Sequence, residues 1–273
     1  NHGLRSAAAR EAQEAGKICA TLDVGHDILN LELDAGSDLQ ARARAARYEA
    51  LSAWGHAAKI AAIALGHTKD DVAETFLIRL ARGSGVDGLA QMPDRFERAG
   101  VCYLRPLLEA RRADLREVLM ARSISWCEDP SNEDARFARV QMRQAQSQLA
   151  ELGFTPERLS QTAKWMRAAS DVCEQAANAW IEAHAKADNG DAVLDPIALR
   201  MAPQETALRV LSRVLCNISG NPYRPRISAL SDALKSDEAR TLHGCLLYSH
   251  KSHLRITREL SAITKHETRW RIE

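Results

Sequence analysis

The sequence predicts an α/β protein whose first half forms a parallel, doubly wound sheet and whose second half is mostly helical. Strand and helix patterns alternate along about the first 145 residues, as they do when helices cover both faces of a parallel sheet. Beyond that point most strand patterns disappear. With 273 residues, 45% of them hydrophobic, the chain can bury one large core or two smaller ones.

The elements of the first half follow from hydrophobic periodicity. Residues 6–22 are rich in Ala and Glu at helical spacing, whereas residues 26–33 alternate apolar and polar side chains and predict a strand. Residues 40–57 predict a helix, and the apolar run 59–65, which ends at a glycine, predicts a buried parallel strand. A helix over residues 70–82 is then stopped by a Gly-Ser-Gly loop.

The second half predicts helices over residues 111–122 and 137–186, with polar breaks at 188–195 and 219–225. Near the end, residues 253–257 alternate and predict a small hairpin with residues 244–248. We therefore place a domain boundary near residue 145. It separates a first domain, 1–145, from a linker helix and a small helical domain, 146–273.

Composition excludes several classes of protein. Lys and Arg number 37 against 36 Asp and Glu, so net charge says nothing about partners. The six cysteines lie far apart without a C-x-x-C pair, which argues against a zinc site or a disulfide framework and fits a reducing cytoplasm. No apolar run approaches the roughly 18 residues of a transmembrane helix, so no membrane partner is expected. The oligomeric state, a homodimer included, stays open.

The segment from Leu65 to Leu89 carries the most chemical information. His67 follows a predicted buried strand, and ligands of open α/β sheets bind beyond the carboxyl ends of strands. Asp71 and Glu74 lie three apart on the next helix, so both carboxylates can hold one cation, either an ammonium group or Mg²⁺. An alternative reading treats them as ordinary first-turn acids that complement the helix dipole. Spacing alone does not decide between the two.

Arginines form three groups. One lies on the helix around Tyr48, one follows Pro106, and one is spaced three and four residues apart along a single helical face. Such a stripe suits the phosphates of a nucleic acid, but a solvated face balanced by the acids just upstream explains it equally well. The groups are Arg42, Arg44 and Arg47; Arg105, Arg111, Arg112 and Arg116; and Arg136, Arg139 and Arg143.

Five separated blocks in register resemble the tRNA(Ile)-lysidine synthetase family, which belongs to the PP-loop superfamily of N-type ATP-pyrophosphatases. The blocks span about residues 1–145, and the small helical domain of this family resembles residues 190–258 more loosely. The blocks are His2-Gly3-Leu4-Arg5; Gln40 with Arg44, Arg47 and Tyr48; Gly66-His67 through Asp71, Glu74 and Thr75 to Arg82-Gly83-Ser84-Gly85 and Gly88-Leu89; Arg105-Pro106-Leu107-Leu108; and Trp126 with Glu128 to Asn132, followed by Arg136, Arg139 and Arg143.

The resemblance implies a fold and a reaction. It implies a sheet of the adenine-nucleotide α-hydrolase type, followed by a domain that binds tRNA. Enzymes of this family use ATP and Mg²⁺ to adenylate the wobble cytidine of a CAU-anticodon isoleucine tRNA. The ε-amine of free L-lysine then displaces AMP, so that the tRNA reads AUA instead of AUG.

The resemblance also implies roles for individual residues. It makes His67, Asp71 and Arg143 catalytic and places lysine at Asp71, Glu74 and Arg47. It implies ATP binding by His2, Arg5 and Arg82. It implies contacts with tRNA by Arg105, Arg136 and Arg139. For Arg136 and Arg139 a local structural role remains an alternative.

One motif of the family is not present in the printed sequence. The family's nucleotide loop, Ser-Gly-Gly-x-Asp-Ser, should follow the first strand, and the Gly83–Gly88 loop is no substitute because it follows a helix. Since the chain opens at Asn1 inside a block that normally follows the second strand, we expect that a strand, this loop and a helix are missing upstream. This chain alone is therefore expected to bind ATP poorly and to be inactive.

Three other functions compete with lysidine synthesis. A tRNA thiolase also adenylates a base but usually carries cysteines for sulfur transfer or iron–sulfur binding, and here only Cys102 or Cys127 could approach the site through folding. An ATP-dependent amide ligase would not need the arginine stripe. A non-catalytic tRNA-binding remnant predicts salt-sensitive tRNA affinity without any dependence on ATP.

Overall fold

The computed structural model describes residues 1–3, 8–31, 39–126, 138–221, 223–236 and 238–259. It divides into two compact units, residues 1–167 and 168–273. The first unit contains helices and three strands in the order α1 (Ala8–Thr21), α2 (Leu39–Ala57), β1 (Ala62–Ala64), α3 (Lys69–Ala81), α4 (Val86–Leu89), β2 (Arg95–Arg98), β3 (Val101–Leu104), α5 (Arg112–Ala121), α6 (Ala138–Gln144), α7 (Gln146–Glu151) and the start of α8 (Pro156–His184).

The sheet of the first unit has the order β1-β3-β2. β1 pairs parallel with β3, whereas β2 and β3 form an antiparallel hairpin. Helix α2 packs on this sheet through Tyr48, which is 1% exposed and lies edge-on to Tyr103. The Tyr103 hydroxyl and Ser52 Oγ share a hydrogen bond of 2.8 Å. Parallel pairing confirms the predicted α/β class and brings the carboxyl ends of β1 and β3 to the same edge.

Two details of this sheet differ from the sequence prediction. Residues 26–31, the described part of the predicted strand 26–33, form no strand: Leu31 N donates to Asn1 O and the Asn1 amine donates to Leu29 O, too few bonds for a ladder. The β2–β3 hairpin was not predicted. Its turn, Ala99-Gly100, has φ values of +47° and +72°, the left-handed conformation of a tight hairpin turn, but Ala lacks the usual sequence signal.

A second core of the first unit explains where that unit ends. Helix α3 contributes Val72, Ala73 and Phe76, and these residues pack with Leu159 and Ala163 at the start of α8. Because the first turns of α8 belong to this core, the first unit extends through Arg167, beyond the boundary near residue 145 that the sequence suggested.

The second unit combines helices with an antiparallel sheet of the order β4-β5-β8-β7-β6. The sheet and helix α10 enclose Leu194, Val210, Leu215 and Ile256, all fully buried. Its elements after α8 are β4 (Ala185–Asp188), β5 (Asp191–Leu194), α9 (Pro196–Met201), α10 (Gln204–Ser219), α11 (Ile227–Lys235), β6 (Arg240–Leu242), β7 (Cys245–His250) and β8 (His253–Arg258).

The predicted terminal hairpin is confirmed, since β7 and β8 pair antiparallel with Cys245 opposite Arg258. The prediction of a polar break at 188–195 was wrong. Those residues form most of the β4–β5 hairpin, which turns at Asn189-Gly190. Asn-Gly is a strong hairpin signal, and it was hidden because the flanking strands are short and half-exposed.

Candidate active site

His67 and Arg105 meet at the carboxyl edge of the parallel strand pair. His67 lies three residues after β1 and is half-buried, and Arg105 directly follows β3. The Leu65 amide continues the parallel pairing by donating to Leu104 O. This pairing brings the Arg105 Nε–H to His67 Nδ1, to which it donates at 3.3 Å. The edge is where α/β sheets bind their ligands.

Arg105 is held on several sides. Its side chain is buried, with 6% of the residue exposed, and an Nη1–H donates to Pro93 O. Its guanidinium carbon lies 4.3 Å from the centre of the Phe96 ring. A guanidinium in this position is not presented to solvent, so its burial does not support the predicted direct contact between Arg105 and tRNA.

Asp71 forms a capping box with Thr68 at the N-terminus of α3. Its Oδ2 accepts from the Thr68 amide at 2.8 Å and from Thr68 Oγ1 at 2.7 Å, and the Thr68 hydroxyl in turn caps the Asp71 amide. Although burial opposes charge, these hydrogen bonds and the charges of Arg112 and Arg139 hold the pKa of the Asp71 carboxyl below its usual value. Asp71 is therefore a carboxylate at neutral pH.

Glu74, three residues further along α3, is 6% exposed and is held by two arginines. Arg143 donates hydrogen bonds to both carboxylate oxygens of Glu74, from Nε to Oε1 at 2.6 Å and from Nη2 to Oε2 at 3.3 Å. Arg112 donates to Oε1 from Nη1 at 3.4 Å and from Nη2 at 3.3 Å. The hydrogen bond and the charge of Glu74 outweigh burial and raise the pKa of Arg143 above its usual value.

Asp70 completes what we call the acidic cluster, Asp70, Asp71 and Glu74. Its buried carboxylate accepts from the Arg112 amide at 2.7 Å and from Arg111 Nε at 3.2 Å. The three carboxylates thus face three arginines, 111, 112 and 143. Among the described residues, Asp71 Oδ1 meets only Arg112 Nη2, at 3.5 Å. This oxygen is the part of the cluster best able to accept a further cation.

A basic cleft of about 520 Å³ lies beside the acidic cluster. Among the described residues, its lining contains five arginines, from α2, α3, the end of α3 and α6, and no acidic residue. Its lining residues are His2, Ala41, Ala43, Arg44, Arg47, Thr75, Ile78, Arg79, Arg82, Ala138 and Arg139.

The cleft contains polar atoms without a partner in the structure. His2 Nδ1 and Arg47 Nε are both buried and make no hydrogen bond with any residue that the structure describes. By contrast, Arg79 donates to Gly88 O at 2.8 Å, and the guanidinium carbon of Arg44 lies 5.3 Å from the centre of the Tyr48 ring. A cavity lined by several guanidinium groups without a balancing acid suits an anion with several phosphates.

Helices α3 and α6 place the cleft and the acidic cluster side by side. On α3, Glu74 belongs to the cluster and the next residue, Thr75, lines the cleft. On α6, Arg143 reaches Glu74, and Arg139 lies one turn earlier and lines the cleft. Side chains that could hold a cation and side chains that could hold an anion therefore lie on the same two helices.

The sequence predictions are distributed as follows. His67, Asp71, Glu74 and Arg143 lie around the cluster, and His2, Arg47, Arg82 and Arg139 line the cleft. Arg5, Arg136 and Cys127 lie outside the described residues. The sequence analysis did not single out Asp70 or Arg79, and it noted Arg112 only as one of a basic group. Arg79 could have been found from helical spacing, since Thr75, Arg79 and Arg82 share one face of α3.

Metal ligands and membrane segments were also sought. Among the described residues, no group of three or more His, Cys, Asp and Glu side chains could hold a metal ion. The carboxylates that the sequence suggested for Mg²⁺, Asp71 and Glu74, are occupied by arginines instead, so they do not fit that ion.

None of the described helices has both the length and the apolar composition that crossing a bilayer requires.

Comparison with protein families gives a match over the first unit. The PP-loop domain family, ATP_bind_3, matches residues 1–149. The family includes ATP binding among its properties, in keeping with the basic cleft. The expected absence of a segment upstream of Asn1 stays a prediction.

Several curated proteins resemble this chain over most of its length. The tRNA(Ile)-lysidine synthase of Ruegeria pomeroyi is 38% identical over 267 residues, which is 96% of this chain and 64% of that protein. Those of Methylobacterium nodulans and Rhodopseudomonas palustris are 37% and 36% identical, over 86% and 88% of this chain and 70% and 71% of their own lengths. The chain thus spans about two thirds of the relatives it matches.

A solved structure shares the fold. The U34-tRNA thiolase NcsA from Methanococcus maripaludis, solved with its [4Fe-4S] cluster, superposes with a TM-score of 0.51 at 17% identity. The match covers 61% of this chain and 60% of NcsA. At this identity the likeness bears on the fold alone.

Proposed function

Since this chain belongs to the tRNA(Ile)-lysidine synthase family of PP-loop proteins, we propose that it acts in the ATP-dependent joining of lysine to the wobble cytidine of a CAU-anticodon isoleucine tRNA. Such a reaction converts codon reading from AUG to AUA. The observation that carries the proposal is the acidic cluster beside the basic cleft. The reaction brings an ammonium group to a polyanionic nucleotide, and α3 and α6 offer a place for each.

Lysine is the amine in this proposal, and Asp71 is its first contact. The Asp71 carboxylate is charged at neutral pH and has one oxygen, Oδ1, with only a long ion pair among the described residues. Glu74 is 6% exposed, and its carboxylate accepts hydrogen bonds from Arg112 and Arg143. We therefore propose that Glu74 attracts the ammonium group of lysine by its charge and does not contact it directly. Arg47, whose buried Nε lines the cleft, is proposed to meet the carboxylate of lysine.

ATP is proposed to occupy the basic cleft with its phosphates near His2 and Arg82, and near Arg5, which lies outside the described residues. When bound, ATP supplies the AMP group that makes the cytidine oxygen easier to displace. The arginines of the cleft bind and orient the phosphates and offset their charge. Mg²⁺ is part of the proposal only as a companion of the triphosphate, without ligands among the described residues.

Arg143 and His67 are proposed as catalytic residues. Arg143 is fixed by Glu74 at the boundary between cluster and cleft, where its charge can stabilise negative charge that develops on the nucleotide. His67 stands at the carboxyl edge of β1, within the electrostatic reach of Asp71, Arg47 and Arg139. Both therefore border the place where the two substrates would meet.

The tRNA is proposed to contact Arg139 and Arg136, with further contacts from the second unit. Arg139 is exposed on α6 and lines the cleft, whereas Arg136 lies outside the described residues. A cytoplasmic location goes with a tRNA substrate. A homodimer stays a prediction.

A tRNA thiolase is the second candidate, because the fold of NcsA is similar. A thiolase with an iron–sulfur cluster needs grouped cysteines. Among the described residues, Cys19, Cys102, Cys173, Cys216 and Cys245 belong to no cluster of three potential ligands. This distribution favours lysidine synthesis over thiolation.

Nucleoside mass spectrometry tests the proposal. A CAU-anticodon isoleucine tRNA is incubated with ATP, Mg²⁺, lysine and the complete product of the gene, and the chain as printed is run in parallel. We expect lysidine from the complete product. Thiolated cytidine after addition of a sulfur donor would move the assignment to the thiolases. Bound but unmodified tRNA would favour a non-catalytic remnant.

A further inference from the structure

We propose that Arg105 holds His67 in a single neutral tautomer, with its proton on Nε2, so that His67 serves the reaction as a hydrogen-bond donor and not as a general base. The role in the reaction rests on the proposed function. The tautomer itself is a property of this chain and can be measured without any substrate. The inference gives Arg105 a positioning role in place of the tRNA contact expected from the sequence.

The hydrogen-bonding groups of the two side chains determine the tautomer. A guanidinium group has only donors and accepts no hydrogen bond. Arg105 Nε–H donates to His67 Nδ1 at 3.3 Å, so Nδ1 must present its lone pair. A neutral imidazole carries one proton, which therefore lies on Nε2. An imidazolium would place an Nδ1–H against the Nε–H of a cation.

Arg105 has little freedom to release this contact. It directly follows β3, and its own amide donates to Asp94 O at 2.7 Å. Its guanidinium also donates to Pro93 O and stacks 4.3 Å from the Phe96 ring centre. Backbone, neighbouring carbonyl and aromatic ring together aim Nε at His67, which is the kind of support that fixes a tautomer.

The charges around His67 act in the same direction. Burial, Arg105, Arg47 and Arg139 favour the neutral ring, and only Asp71 favours the charged one. Arg47, Arg139 and Asp71 lie on α2, α6 and α3, and Arg105 directly follows β3. Their balance holds the pKa of His67 below its usual value. At neutral pH the ring is uncharged and offers Nε2–H to a ligand.

A consequence follows for the mechanism. A neutral ring whose Nδ1 is occupied by Arg105 can orient a substrate oxygen through Nε2–H, but it has no free lone pair to take a proton from an amine. A proton lost by the attacking amine must therefore go to another acceptor.

Nitrogen NMR on the histidine-labelled complete gene product tests the tautomer directly. The chain has nine histidines, and the His67→Gln variant identifies the signal of His67 by its loss. We expect an unprotonated Nδ1 and a protonated Nε2 at pH 7, with protonation of the ring only at a pH below the usual range. A protonated Nδ1, or a ring that is charged at pH 7, would overturn the proposal.

Variants of Arg105 extend the test. In Arg105→Met the pKa of His67 should rise and the tautomers should mix, while Arg105→Lys, which keeps a charged donor, should restore part of the native signal. Arg98→Met is the matched control, because Arg98 lies on β2 and stacks on Tyr48, and its charge is not among the causes of the His67 pKa shift. An unchanged His67 titration in Arg105→Met would contradict the proposal.

The activity measurement separates this inference from the proposed function. If the complete product makes lysidine, Arg105→Met should lower kcat about tenfold, as expected when one oriented hydrogen bond is lost. Absence of lysidine synthesis with the Nε2–H tautomer in place would reject the function and keep the positioning role. Lysidine synthesis with a protonated Nδ1 would keep the proposed function and reject the positioning role of Arg105.

Discussion

Two glutamates of this protein each meet several arginines, yet their surroundings differ. In the first unit, Glu74 receives Arg112 and Arg143, and 8% of its side chain is exposed. In the second unit, Glu174 pairs with Arg209, Arg213 and Arg224, and 30% of its side chain is exposed. Both are ion-pair networks, and the density of charge alone does not distinguish them.

The neighbours of each network make the difference. Glu174 lies on α8, and Arg209 and Arg213 lie on α10, so these ion pairs join two helices of one unit. Glu74 lies beside Asp71, whose Oδ1 is nearly free, and beside a cleft lined by five arginines. Both networks join helices, but the Glu74 network also borders a cavity and lies beside the weakly paired Asp71 Oδ1. It is therefore suited to a ligand, whereas the Glu174 network is suited to stability.

The largest expected effect comes from Glu74→Gln. The substitution leaves Arg112 and Arg143 without their carboxylate in a buried place, which commonly costs about 3–5 kcal/mol when a buried ion pair loses one partner. We expect lysidine formation to fall by about 100-fold or more, together with a lower Tm. The assay is nucleoside mass spectrometry with thermal unfolding of the same samples.

Glu174→Gln is the matched control for that experiment. It removes the same charge from a network far from the cleft in sequence and in another unit. We expect a lower Tm with lysidine formation within about threefold of the unaltered protein, since none of the residues of this network is among the described residues that line the cleft. Equal losses of activity in both variants would contradict the conclusion that the Glu74 network serves a ligand site and the Glu174 network serves stability.

Asp71→Asn should act mainly on lysine. The amide keeps the shape of the side chain but removes the charge at the open oxygen, so KM for lysine should rise about 10- to 100-fold, with a smaller change in kcat. Steady-state kinetics at varied lysine concentration measures this split. Glu109→Gln, which breaks only an exposed pair with Lys164, is the control and should leave KM unchanged. A fall in kcat alone would remove Asp71 from the lysine site.

Arg139→Ala should weaken tRNA binding through the phosphate backbone. Loss of one phosphate contact lowers the slope of log affinity against log salt by about 0.7–0.9. Fluorescence anisotropy with labelled tRNA at several salt concentrations measures that slope. Arg122→Ala, an exposed arginine at the end of α5, serves as the control. The same slope in both variants would place Arg139 outside the tRNA contact.

The smallest expected effect is on stability in acid. The folded state holds the pKa of Asp71 below its usual value. Its contribution is therefore complete above the unfolded pKa and is lost as pH falls through the folded pKa. Asp71→Asn should lower the free energy of unfolding by about 1 kcal/mol at pH 7 and by less near pH 3. Urea unfolding at both pH values measures this, and an equal loss at both would exclude the charge as the cause.

Local patterns allowed much of the fold to be predicted. The helix over 70–82 and the strand over 59–65 were found from periodicity and a glycine stop, and the structure has α3 at Lys69–Ala81 and β1 at Ala62–Ala64. The hairpin β2–β3 was missed because Ala99 occupies a left-handed turn position that is usually Gly, Asn or Asp. Among the site residues, His67, Glu74, Arg105 and Arg143 were named from the sequence, and their roles stay predictions. The sequence did not show that Arg143 pairs with Glu74 or that Arg105 contacts His67.

By itself, the sequence determined α3, β1, the β7–β8 hairpin and which short blocks carry charge, because periodicity and spacing act over a few neighbouring residues. Only the tertiary structure decided that Glu74 is occupied by Arg112 and Arg143, 38 and 69 residues away, and that Arg105 is buried against His67, also 38 residues away. Such pairings depend on how strands and helices pack. Packing aligned β1 with β3 and α3 with α6, and it thereby separated the buried arginines from those that line the cleft.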